Sequence, residues 1–435
     1  MKLDQQRRSF LQKLLIASGV ATLPVLPSVL FAQTPNTYQG KLLVTLQLDG
    51  GVDVTSFCDP KSNVPGEREI NRWARTQEIR TAGNLQYAPY GDNTRFFDKY
   101  YRHMLVINGV DTQTNAHSVG VVNNWSGRSS EGLPTLTALF SAVKAPQLPM
   151  TYLNFGGYGA TEGVTTLTKA NNIRTLQNAI LPNAVASNAA VQYVQESDLD
   201  RVMALHKSTL SKQVGVSGVI GGNQINRQSY LDALEKTDAI AEFASYIPSA
   251  ENLKEPRQIV PGRTSNLHQQ VQLALLAFKS GVSVAADLFE SGFDTHDNHD
   301  SNHPKLLANV TDALDYFWTL AVELGLADRI VLVIGSDFGR TPYFNISQGK
   351  DHWPIGSTIV MEKNAAYGNR MLGKTDEGHN ALKIDPSTLQ QSNARGVMIK
   401  PAHVHKALRR YLGLEASAIT QRFTLSNTED FRFFG

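Results

Sequence analysis

Three apolar stretches of this chain run without polar alternation, and each leads to a carboxylate. Lys41 to Leu48 (KLLVTLQL) is closed by Asp49-Gly50-Gly51, Val282 to Phe289 (VSVAADLF) leads through Glu290 to Asp294, and Ile330 to Ile334 (IVLVI) leads to Asp337. A strand that is apolar on both faces has to be covered on both faces, which is the situation in a parallel sheet flanked by helices. The intervening segments have helical periodicity. Leu267, Val271, Leu275 and Phe278 share one face, with Ser265 as cap and Gly281 as stop. A second helix is expected from Pro304, carrying Leu307, Val310, Leu314, Phe317, Ala321 and Leu324 on one stripe. Met104 to Val110 and Leu148 to Phe155 read as further strands, and the tail repeats the pattern with a strand at Thr358 to Met361 and a helix at His403 to Leu412. The alternation predicts an α/β fold with a doubly wound, mostly parallel sheet flanked by helices. From about residue 160 to 260 the composition shifts to Asn, Gln, Ser, Thr and Ala with scattered helical periodicity. That region is expected to be a largely helical insertion.

The first 32 residues read as a leader. Arg7-Arg8-Ser9-Phe10-Leu11 precedes an apolar run from Leu14 to Ala32 that Gly19, Pro24 and Pro27 interrupt. A twin-arginine pair before a weakly hydrophobic run is an export signal, and the broken run falls short of a membrane span. The expectation is a signal peptide at 1–32 and a domain at 33–435, exported through the twin-arginine translocase to the periplasm or beyond. A formal charge of +2 with 18% charged residues points to no nucleic-acid groove. A single cysteine, Cys58, excludes an intrachain disulfide, so any metal has to be held by Asp, Glu and His.

In an open parallel sheet, ligands sit beyond the carboxyl ends of the strands. If the three apolar strands are neighbours, Asp49, Asp294 and Asp337 therefore meet at one edge. The loop Asp351-His352-Trp353 supplies an imidazole nearby. Carboxylates brought together repel unless a cation compensates, and an O/N donor set suits zinc, manganese, magnesium or calcium. The segment Phe293 to His303 (FDTHDNHDSNH) holds three aspartates and three histidines. Asp294 and His296, next to the strand end, are expected metal ligands; His299, Asp300 and His303 are expected to form a solvated loop that caps the following helix. The tract Asn115-Ala116-His117-Ser118 follows another strand. Ser118 is either a metal-activated nucleophile or simply a helix N-cap, and His117 either orients a substrate oxygen or fills space. No Gly-x-Ser-x-Gly elbow occurs, which argues against an ordinary α/β-hydrolase.

The twin-arginine leader, the LDGG turn at Leu48–Gly51, His117-Ser118, the Phe-Asp-Thr-His tract at 293–296, SDFGRTP at 336–342 and KDHWP at 350–354 together resemble domain-of-unknown-function family 1501, placed within the alkaline phosphatase and sulfatase superfamily. The resemblance covers nearly the whole mature chain. It implies an alkaline phosphatase-like fold and metal-dependent hydrolysis of phosphate or sulfate esters, with a small anionic ester or sugar ester as substrate. It also implies Asp49, Asp294, Asp337 and His352 as metal ligands and Ser118 as nucleophile; the residues themselves add His296 as an expected ligand and Arg340 or Arg128 to steady anionic oxygens. Two departures stand out. Phe338 follows Asp337 where phosphatases carry histidine, and His296 and His299 both miss the usual spacing from Asp294. The departures leave room for a single metal, and for an alternative in which an exported, non-catalytic binding protein keeps the fold with a structural or vestigial ion.

Overall fold

A computed structural model describes residues 38–171 and 243–435, together with scattered positions between 173 and 212. The leader, and most of the expected insertion, lie outside the described residues. In chain order the strands are β1 (Leu42–Asp49), β2 (Arg80–Ala82), β3 (Leu85–Tyr87), β4 (Met104–Asp111), β5 (Tyr152–Asn154), β6 (Leu167–Lys169), β7 (Arg257–Val260), β8 (Arg263–Ser265), β9 (Ala285–Ser291), β10 (Ile330–Ser336), β11 (Gly339–Arg340), β12 (His352–Trp353), β13 (Ile355–Met361) and β14 (Arg370–Leu372). The helices used below are α1 (Asn93–Tyr100), α2 (His117–Ser126), α3 (Leu136–Lys144), α4 (Leu267–Lys279), α5 (His299–Glu323) and α6 (Pro401–Tyr411).

Eight strands form one sheet in the order β14-β4-β13-β10-β1-β9-β5-β6. Its centre is β1, parallel to β10 on one side and to β9 on the other. The continuous apolar runs are explained by this position: Leu43, Val44 and Leu46 are fully buried, as are Ala285, Leu288, Ile330 and Leu332. The two polar side chains inside β1 are both satisfied. Thr45 donates to Asp287 at 2.7 Å, and Gln47 exchanges 2.8 Å bonds with the Tyr158 backbone. On one side α2 packs against β10 and α3 against β1 and β9, with α6 on α2, while α5 packs on α4 and α1, and α4 also packs against β9. The described residues from Tyr38 onward belong to one compact unit.

Several expectations need adjustment. The strand in the tail begins at Ile355 rather than Thr358 and runs antiparallel to both of its neighbours, β10 and β4. Leu148–Phe155 shortens to Tyr152–Asn154. The second helix starts at His299 rather than near Pro304, and Pro304 lies inside it, past the first turn, where its missing N–H leaves the Asp300 carbonyl without that helical partner. The cap of α4 is Asn266, with Ser265 accepting from Leu267 N at 3.2 Å. No helix among the described residues is long and apolar enough to cross a membrane.

Candidate metal centre

The parallel register of β1 with β9 and β10 brings the ends of all three strands to one edge, Asp49 opposite Ser291 and Leu48 opposite Ser336. Asp294 then approaches the end of β1 closely. A side chain at Gly50, whose φ is +106°, would lie 2.4 Å from the Asp294 amide nitrogen. Glycine is needed there both for the left-handed backbone and for the space. His117 is the first residue of α2 and arrives from β4, and His352 is held opposite Arg340 in the short β11–β12 ladder.

Three imidazoles converge on Asp294. His296 Nε2 lies 3.0 Å from its Oδ1, His352 Nε2 3.3 Å and His117 Nε2 3.4 Å, while the Nε2 atoms of His296 and His352 are 2.9 Å apart. The ligand atoms of His117, Asp294 and His352 all lie within 4.8 Å of one another, and His296 touches two of the three. Each ring turns its other nitrogen to an acceptor. His117 Nδ1 donates to Asp337, His296 Nδ1 to Asp351 at 2.8 Å and His352 Nδ1 to the Asn115 carbonyl at 2.7 Å. Because those partners only accept, they fix the proton on Nδ1 and leave each neutral ring with an Nε2 lone pair directed inward. His117 Nε2 is buried without a hydrogen-bond partner. Lone pairs facing an ionised carboxylate and one another need a cation or protons between them.

The residues fit a metal. Four donors about 2.0–2.1 Å from an ion are separated by about 3.3 Å along the edges of a tetrahedron, close to the 2.9–3.4 Å separations here. A donor set of three imidazoles and one carboxylate favours zinc or a similar borderline ion over calcium or magnesium.

The surroundings orient these groups. Asp337 is fully buried and takes hydrogen bonds from Gly51 N at 2.7 Å, Ser336 Oγ at 2.8 Å and His117. It thus sits behind His117 rather than among the converging atoms. Asp49 is half-buried beside the group, and burial pushes its carboxyl up, with the Asp337 charge adding to the effect. Burial alone would also raise Asp294, but the Arg340 hydrogen bond and charge and the neighbouring histidines outweigh it and hold the carboxyl at about 2. The bond from Asp337 holds His117 above the usual imidazole range despite burial. Phe338, 1% exposed, packs against His117 and His352 with ring centres 4.6 and 4.7 Å apart, so the residue that departs from the phosphatase pattern forms an apolar wall.

Other expectations are corrected. Arg340 is 0% exposed, and its guanidinium donates to the Gly51 carbonyl at 3.0 Å, the Lys350 carbonyl at 2.9 Å, the Gly50 carbonyl and Asp294. A group so engaged positions Asp294 and has little capacity left for a substrate oxygen. Arg128 is exposed and turned to the carbonyls of Ser130 and Glu131. Ser118 is not the N-cap, a place taken by Ala116; it is the second residue of α2 and exposed. His299 and His303 are fully buried rather than solvated. Asp53 Oδ2 accepts from His299 Nε2 at 3.1 Å and from the Lys350 ammonium at 2.8 Å, and Asp53 N donates to His303 Nε2 at 3.1 Å. Sequence spacing gave no signal that His117 would stand with the ligands, because its partner Asp337 lies 220 residues away.

Among solved structures, the chain is similar to a sulfatase from Pseudoalteromonas sp. (10% identity, 91% of this chain and 71% of that chain covered, TM-score 0.39). It is likewise similar to alkaline phosphatase from the Antarctic bacterium TAB5 (10% identity, 77% and 95% covered, TM-score 0.34). No curated protein matches it in sequence. A family model described as a protein of unknown function matches residues 40–397, the span that holds every residue of the centre described above, and the chain therefore belongs to the DUF1501 family.

Proposed function

We propose that the protein is an exported metal-dependent hydrolase of phosphate or sulfate esters, acting on a small anionic ester or sugar ester. The observation that carries this reading is the convergence of three Nε2 lone pairs on the Asp294 carboxylate, each ring locked from behind. His117, His296, His352 and Asp294 are the residues that would hold a divalent ion. Such an ion supplies Lewis-acid polarisation of an ester oxygen and lowers the pKa of a hydroxyl placed against it. Asp337, Asp351 and the Asn115 carbonyl fix the tautomers, Arg340 fixes the carboxylate, and Phe338 keeps one side dry. Ser118, exposed beside His117 in the first turn of α2, is the proposed nucleophile: its oxygen takes the phosphoryl or sulfuryl group, the alcohol leaves with a proton, and water then releases the anion. Asp49, half-buried at the rim, remains within reach of the cleft as an additional carboxylate.

Elemental analysis of native protein, coupled to a panel of chromogenic phosphate and sulfate esters, tests the reading. Stoichiometric metal, turnover that a chelator abolishes, and loss of turnover in Ser118→Ala are expected. Stoichiometric metal with no turnover on any ester would instead favour an exported binding protein, and absence of metal would remove the mechanism. Export is tested separately by changing Arg7 and Arg8 to lysine, which should strand the precursor in the cytoplasm.

A further inference from the structure

A phosphate or sulfate group arriving at this centre carries negative charge that one divalent ion, itself held by the Asp294 carboxylate, matches only in part. The two cations that the motifs supply are already engaged. Arg340 is buried among three carbonyls and Asp294, and the Lys350 ammonium is buried against Asp53 and Asn71. Arg263 differs from both. It opens β8, is partly exposed, and has no carboxylate within 4.0 Å among the described residues. Its Nη1 instead donates to Ser291 Oγ at 3.1 Å. Ser291 is the last residue of β9 and the register partner of Asp49, so the guanidinium lies at the same sheet edge as the metal centre. It lies across Gly292, where a side chain would come within 2.3 Å of Nη1, and Gly292 is two residues before Asp294. Asp49 and Glu290 are the carboxylates that feel its charge.

We infer that Arg263 is the anion-recognition residue of the cleft, engaging non-bridging oxygens of the tetrahedral phosphate or sulfate group while the ester is held at His117, Asp294, His296 and His352. The inference rests on the hydrolase reading. A planar guanidinium can offer two parallel N–H donors to such a group, and a serine hydroxyl as its resting partner is exchanged at little cost compared with a carboxylate.

The test is calorimetric titration of metal-loaded full-length protein with inorganic phosphate and, separately, inorganic sulfate, which reads binding without turnover. Wild type is expected to bind at least one of the two. Arg263→Gln should weaken that binding at least tenfold at unchanged metal content, with Arg263→Lys intermediate because it keeps the charge and loses the fork. On an ester substrate, KM should rise in Arg263→Gln more than kcat falls. Equal anion binding by wild type and Arg263→Gln overturns the inference and leaves the hydrolase reading standing. Loss of metal in both variants also overturns it, since Arg263 would then be structural. A metal-loaded wild type that binds neither anion overturns the hydrolase reading and this inference with it.

Discussion

One short tract, Phe293 to His303, feeds two clusters of histidine and aspartate that behave oppositely. Asp294 and His296 go outward to the open group with His117 and His352; Thr295, His299 and His303 go inward to Asp53. The inner cluster carries its own cation. Lys350 lies 2.8 Å from Asp53, is 0% exposed, and also reaches Asn71 at 2.9 Å. Burial would raise the Asp53 carboxyl, but Lys350 and His299 outweigh it and hold it well below the usual carboxylate range. In the outer cluster Arg340 donates to Asp294 Oδ1, and the three Nε2 atoms face that same oxygen at 3.0–3.4 Å. The same residue types are structural where the fold supplies an ammonium and reactive where it leaves lone pairs facing one another.

The comparison is broken most forcefully at Lys350. Lys350→Met leaves Asp53 buried without its ammonium and should cost about 3–5 kcal/mol in urea unfolding, with metal content unchanged. If the variant instead takes up a second metal, the two clusters differ only in which cation fills them. Next in size is chelation. With metal at about 100 times its Kd, removal should lower wild-type stability by about 2.7 kcal/mol, whereas Asp294→Ala should show no chelator response in a thermal scan. A chelator-sensitive Asp294→Ala would place the ion elsewhere.

A smaller effect is expected behind the ligands. Asp337→Asn keeps the volume but cannot accept from Gly51, Ser336 and His117 together, so metal affinity should fall about 10–100-fold, read by competition with a chromogenic chelator. Unchanged affinity would mean that Asp337 does not orient His117. The smallest effect concerns pH in the inner cluster. Burial holds His299 and His303 below the usual imidazole range. The unfolded chain therefore binds protons that the native state refuses, so their contribution is present above about pH 6.5 and is lost as pH falls below it. In chelated protein, His303→Gln should flatten the stability slope between pH 7 and 5 by up to about 1.4 kcal/mol per pH unit. An unaltered slope would assign it to other buried histidines, such as His405, which burial holds at about 4.

Much of the sheet was legible because a doubly buried strand has no polar alternation, as in KLLVTLQL and IVLVI. That Asp49, Asp294 and Asp337 come to one sheet edge followed from strand ends and parallel order, but that Asp337 turns to His117, Gly51 and Ser336 did not. The reversed strand β13 was not legible, since direction leaves no periodic mark in Ile355–Met361. Nor was the split inside Phe293–His303, where alternate polar residues face the cleft and the interior. His299 and His303, four apart on one face of α5, are satisfied by Thr295 and Asp53, and a partner as distant in sequence as Asp53 gives no local cue. Arg340 reads as a substrate cation from its motif, whereas in the fold backbone carbonyls distant in sequence take up its guanidinium.

The short ladder that pairs Gly339–Arg340 with His352–Trp353 has a consequence for how such a protein diversifies. Because β13 runs backwards, it begins at the edge where the parallel strands finish, so His352 enters the centre from just ahead of a strand while Asp294 and Asp337 follow theirs. The ladder clamps both ends of the segment Thr341–Asp351. That segment carries Ile346, 98% exposed, at its tip. Asn345, next to that tip, donates to the His296 carbonyl and to Asp351 Oδ1 at 2.9 Å each, so the identity of the exposed tip is free to vary while a change in the length of the segment acts directly on His296.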